Sequence, residues 1–155
     1  MNGNDDCRTY VEHLRVEHSH IDHTLEELRE LLTSPAPGSA DVSPPALLAR
    51  LILLRDRLVH HFREEEQGGC LEEAQSRSPC LSEDVQALKT EHAGLLAELE
   101  RIIAAANALP QQPADFTSLR ESFRDFLQKL HAHESAEERV LLMGFGSSAM
   151  DSLST

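Results

Sequence analysis

His61 and Glu65 stand four residues apart in HHFREEE, and His133 and Glu137 repeat that spacing in HESAEE. His18 in EHSHID and His92 in EHAGLL stand out as further donors. Residues four apart on a helix share a face, so each pair can turn an imidazole nitrogen and a carboxylate toward one ligand. That mixture of donors suits iron, manganese or zinc, whereas calcium and magnesium favour oxygen alone. A structural zinc more often takes cysteine and histidine in a closed tetrahedral set, and six donors exceed it. Iron is the first choice.

Whether these six groups can act together depends on the elements that carry them. Pro, Gly and Ser interrupt the chain at TSPAPGSADVSPP (33–45), QGGCLEEAQSRSPC (67–80) and LPQQPAD (109–115), leaving four long segments. Ser43 before Pro44, Ser82 before Glu83 and Asp84, and Ser118 with Glu121 read as helix starts. In steps of three and four the segments carry apolar stripes: Val11, Leu14, His18, Ile21, Leu25, Leu28, Leu32; then Leu47, Leu51, Leu54, Leu58, His61, Glu65. The third gives Val85, Leu88, His92, Leu95, Leu99, Ile102, Ala106, and the fourth Leu119, Phe123, Phe126, Leu130, His133, Glu137, Val140. The expectation is an all-α, up-down-up-down antiparallel four-helix bundle, a single domain over 1–143, with the Gly- and Ser-rich residues 144–155 as a flexible tail.

Each stripe is broken by one histidine, and two stripes also by a glutamate. His60 and Glu64 are rotated about 100° off the seam toward solvent or a neighbouring helix, and His13, His20, His23 and His131 also miss it. Burying two carboxylates without partners costs several kcal/mol each, so they must be protonated, ion-paired or bound to cations. The seams offer no Lys or Arg.

The levels agree as well. His18 lies 15 residues before a helix end near Thr33, and His61 lies 17 after a start near Pro44. At about 1.5 Å rise per residue these meet within about 3 Å in an up-down pair. His92 and His133 match in the same way. The halves also echo each other, EHSHIDHTLEEL with EHAGLLAELERI and HFREEE with HESAEE, at offsets of 72 to 74 residues. Each half presents one His and then His-x-x-x-Glu, a repeat that suits a pseudo-symmetric site for two ions.

A formal charge of −13 repels phosphates and anionic membrane surfaces, so neither nucleic acid nor membrane is expected as a partner. No apolar run approaches a membrane span, and MNGNDDCRTY lacks the features of a signal peptide, which makes the cytoplasm the expected location. Cys7, Cys70 and Cys80 form no C-x-x-C pair and read as reduced thiols, with a redox role for Cys70 or Cys80 as the minor alternative.

Taken in order, EHSHID, HHFREEE, EHAGLL and HESAEE resemble the hemerythrin-like, or HHE cation-binding, domains over roughly His13 to Met143. The resemblance implies His18, His61, His92 and His133 as terminal iron ligands, with Glu65 and Glu137 as carboxylates bridging two iron ions that also share an oxo or hydroxo group. Manganese or zinc is the alternative metal. Oxygen-carrying members have a His-x-x-x-His pair on the third helix, but here Leu88 and Leu96 flank His92 at four residues, so the fifth histidine is absent. Counting donors leaves each iron one open position, which suits binding or reaction with oxygen, peroxide or nitric oxide at least as well as oxygen carriage. Asp22 and Tyr10 are conceivable further ligands. The alternative is binding, buffering or sensing of iron or another divalent metal without redox catalysis. If the protein is an enzyme, it would be a weak peroxide- or oxygen-consuming oxidoreductase; no protein partner is indicated.

Overall fold

A computed structural model of the protein describes residues 3–33, 44–109 and 116–145. Four long helices lie between the Pro- and Gly-rich interruptions: α1 Gly3–Thr33, α2 Pro44–Gln67, and, after a shorter helix α3 at Cys70–Arg77, α4 Ser82–Ala108 and α5 Phe116–Phe145. A 3₁₀ turn at Pro79–Leu81 leads into α4. All regular structure among the described residues is helical, as the Leu-, Ala- and Glu-rich composition dictates. No helix of the described residues is long and apolar enough to cross a membrane. α5 runs through Phe145, and the rest of the expected tail lies outside the described residues, as do Ser43 and the side chains of Cys7, Tyr10 and Val11.

In each adjoining pair of long helices, contacts climb one helix as they descend the other. His18 meets His61 while Glu27 meets Arg50 across α1 and α2. Glu66 meets His92 while Arg55 meets Glu100 across α2 and α4. Asp84, Glu91 and Glu98 of α4 meet Arg139, His133 and Lys129 of α5 in turn.

Two expected helix starts differ. Ser82 is the first residue of α4, whose cap position is Leu81 without a side-chain hydrogen bond, because the 3₁₀ turn after Pro79 already sets the backbone into helical geometry. Ser118 lies within the first turn of α5 rather than at its cap, since Phe116 begins the helix and is buried in the core.

The segment 67–80, read as a connection, contains α3. Gly68 N–H donates to the Glu64 carbonyl and closes α2. Gly69 then takes φ 78°, a left-handed conformation that glycine adopts without a Cβ penalty. Glu73 N–H donates to the Gly69 carbonyl as α3 opens. Glu72 and Glu73 near its start and Arg77 at its end complement the helix dipole. Its inner face buries Cys70, Leu71 and Ala74.

Two apolar clusters result. The larger runs from Ile21, Leu58, Leu95 and Leu130 to Leu32, Leu47, Leu109 and Phe116. The smaller joins Leu14, Leu71, Ala74, Leu81, Val85, Leu88, Val140 and Leu141. On α1, α4 and α5 the polar seam residues lie between them in sequence, and on α2 His61 and Glu65 follow Leu58 near the helix end. α2 ends two residues beyond Glu65, so α3 supplies the apolar side chains that α2 does not carry on that side.

Candidate metal centre

The six seam residues come together. Ligand atoms of His18, His61, Glu65 and Glu137 lie within 4.8 Å of one another, and so do those of Glu65, His92 and His133. Glu65 belongs to both groups. His61, Glu65, His92, His133 and Glu137 are buried at 1–3% exposure, and His18 is half-buried.

Ring orientation follows from outer partners. His61 Nδ1–H donates to Glu17 Oε2 at 2.9 Å, His92 Nδ1–H to Glu66 Oε1 at 3.2 Å, and His133 Nδ1–H to Glu91 Oε2 at 2.7 Å. A donor at Nδ1 leaves the Nε2 lone pair of each neutral ring directed inward, the arrangement metal-bound histidines use. Phe62 stacks on the His92 ring with centroids 4.2 Å apart and planes 9° apart, and meets His133 edge-on at 5.5 Å.

What the Nε2 atoms face is a set of groups with the wrong complement of protons for one another. His61 Nε2 is 2.5 Å from Glu65 Oε1 and His92 Nε2 is 2.7 Å from Glu65 Oε2. Yet both Glu65 oxygens, Nε2 of His92 and His133, and Glu137 Oε2 lack a hydrogen bond of acceptable geometry. His18 Nε2 lies 3.0 Å from His61 Nε2, an approach that two lone pairs tolerate only with a proton or a cation between them. Buried polar atoms of this kind are rare, and divalent cations held at the two clusters would satisfy them.

The charges agree. Burial alone raises Glu65, but His133, His61 and His92 outweigh it and hold its carboxyl well below the usual range. Burial raises Glu137 well above that range, and the neighbouring charge of Glu65 adds to the effect. Two carboxylates in one dry site cannot both ionise without a counter-charge. Burial and the His61 ring lower His18 to about 4, leaving it neutral and able to donate a lone pair at neutral pH. His61 and His133 rise despite burial because Glu65, helped by Glu17 and Glu91 respectively, favours their charged forms.

Of the two conceivable further ligands, Asp22 is exposed and belongs to neither cluster, its carboxyl raised by partial burial. Tyr10 lies outside the described side chains. The sequence reading missed Phe62 and the outer carboxylates Glu17, Glu66 and Glu91. Glu17 and Glu91 did carry a signal, since each is the first residue of an EH pair, but each holds the histidine of the adjoining helix, not its own neighbour.

Residues 83–152 match the family model of the hemerythrin HHE cation binding domain. Over that stretch the chain resembles hemerythrin HHE domains. The matched stretch contains His92, His133 and Glu137, while His18, His61 and Glu65 precede it and reach the same cluster by the packing of α1 and α2 against α4 and α5. Neither the curated proteins nor the solved structures gave a match to the chain. A hemerythrin-like HHE segment implies cation binding, and the buried His and Glu clusters supply donors of the required kind.

Proposed function

We propose that this hemerythrin-like protein is a non-haem di-iron protein that binds or reacts with oxygen, peroxide or nitric oxide, its helices forming an up-down-up-down bundle as one domain around the site. His18, His61, His92 and His133 would be terminal ligands, and Glu65 and Glu137 would bridge the ions. The observation that carries this reading is the position of Glu65, one buried carboxylate common to two ligand clusters. When bound, the iron pair would supply Lewis acidity and redox electrons.

The chain's own residues set the conditions. Glu17, Glu66 and Glu91 orient three imidazoles. Phe62 and the two apolar clusters keep bulk water from the carboxylates, so their charge is neutralised by the ions and not by solvent. A groove between α4 and α5, lined by Glu91, Gly94, Leu95, Glu98, Lys129 and Ala132, borders His133 from the surface side. The donor set is compatible with manganese or zinc, and the alternative role is divalent-metal binding or buffering without redox chemistry.

The test is optical. Iron-reconstituted protein is titrated separately with oxygen, hydrogen peroxide and nitric oxide while its charge-transfer absorption is followed. A di-iron reactive site predicts bands that change with at least one of the three. Bands inert to all three, with iron that exchanges readily into a chelator, would replace the reading with metal buffering.

A further inference from the structure

A second constellation of the same residue types lies outside the buried seam. His13 and Glu17 sit four apart on α1, and His60 and Glu64 sit four apart on α2, so each helix offers another His-x-x-x-Glu pair one face away from the core. The two pairs face each other. His13 Nε2 lies 3.4 Å from Glu17 Oε1 and 3.4 Å from Glu64 Oε2. His60 Nε2 lies 3.1 Å from the same Glu17 Oε1 and 3.5 Å from Glu64 Oε1. Ligand atoms of His13, His60 and Glu64 all fall within 4.8 Å of one another.

Simple surface ion pairing accounts poorly for this. Two imidazoles share both of their carboxylates, and protonating both rings would place like charges side by side. A cation held by His13, His60 and Glu64 would satisfy these groups together. Zinc bonds of about 2.0–2.1 Å to nitrogen and oxygen give ligand-to-ligand separations of roughly 3.3–3.4 Å, and the contacts of His13 and His60 with Glu64, 3.4 and 3.5 Å, lie close to that. Glu17 is largely shielded, whereas His13 and His60 are about half exposed, which leaves the centre open to solvent on one side.

We propose that His13, His60 and Glu64, with the Glu17 carboxylate beside both rings, form a second, solvent-facing site for a zinc-class divalent cation. It is separate from the buried centre but joined to it through one side chain, because the other oxygen of Glu17 accepts the His61 Nδ1 proton. The net charge of −13 favours cation capture at the surface.

The test compares zinc uptake by untagged wild-type protein and by H13A/H60A, equilibrated with zinc in the presence of citrate as a weak competitor. Both substituted residues are exposed, and circular dichroism checks that the helices persist. The wild type is expected to hold one zinc per chain more than the variant, whatever the buried centre contributes to both. Failure of the buried centre therefore leaves the difference intact. In the wild type, zinc should also shift the imidazole proton resonances of His13 and His60. Equal zinc content in the two proteins, or resonances of His13 and His60 that do not respond to zinc, overturns the proposal.

Discussion

Glu17 and Glu91 show how little separates a surface glutamate from a functional one. Each precedes a seam histidine in sequence, and each holds the seam histidine of the adjoining helix, His61 for Glu17 and His133 for Glu91. The internal repeat therefore extends beyond the six ligand candidates to the groups that orient them. One of the places where it breaks matters to the site: Phe62, following His61, corresponds to Glu134, following His133. Phe62 packs on His92, whereas Glu134 is half-buried, and burial with the charge of Asp22 pushes it up to about 7. The seam residues themselves were legible because helical period and chemistry point to the same positions. Their partners were not, because a glutamate off the stripe looks the same whether it meets water or an imidazole on the next helix. Removing such a partner should weaken metal binding without abolishing it, so Glu91→Ala is expected to lower metal affinity by roughly 10–100-fold, the usual cost of losing an outer hydrogen bond to a ligand. Competition with a chromophoric chelator measures this, and unchanged affinity would show that the 2.7 Å contact plays no part.

At the scale of elements, the four long helices follow from sequence punctuation, and their ends near Thr33, Pro44, Ala108 and Phe116 agree with the structure. α3 escaped because its eight residues are mostly polar, bracketed by glycines and a proline, and show only Cys70, Leu71 and Ala74 as an inner face. Such a helix is too short to be stable alone and exists through its packing. Its docking leaves no room at Gly144 of α5, where an added Cβ would lie 2.5 Å from the Ala74 Cβ and 2.7 Å from its Cα. Gly144→Ala is therefore expected to destabilise the protein by about 1–3 kcal/mol, as overpacking does. Gly94 in α4 is the control: an added Cβ there meets nothing within 4 Å, so Gly94→Ala should stabilise by about 0.5–1 kcal/mol through helix propensity. Chemical denaturation of both variants checks the pair, and equal effects would contradict the close contact of α3 with α5.

For the whole molecule, the buried charges link stability to metal and pH. In metal-free protein Glu137, His61 and His133 have folded-state values raised above their ordinary ones, so each favours the fold while protonated and loses that contribution as pH rises through its folded value. Glu65 and His18 are lowered and act in the opposite sense, but their effects are complete by about pH 6.5, the ordinary value for histidine. Above that pH the metal-free protein should lose thermal stability as pH increases. Loaded protein should lose much less over the same range, because the cations replace the protons at the ligands, leaving the Glu134 carboxyl to titrate at about 7. Melting curves of both forms between pH 6.5 and 8 test this, and parallel pH profiles would count against cations as the missing counter-charge.

The most direct test is the iron content of protein reconstituted anaerobically and freed of loosely held metal, for the wild type and for H61A/E65A. A shared Glu65 within a six-ligand centre predicts about two irons per wild-type chain and none in the double variant. A wild-type chain that is fully folded yet refuses iron, or a double variant that keeps its full complement, would contradict the assignment of these residues as a metal centre.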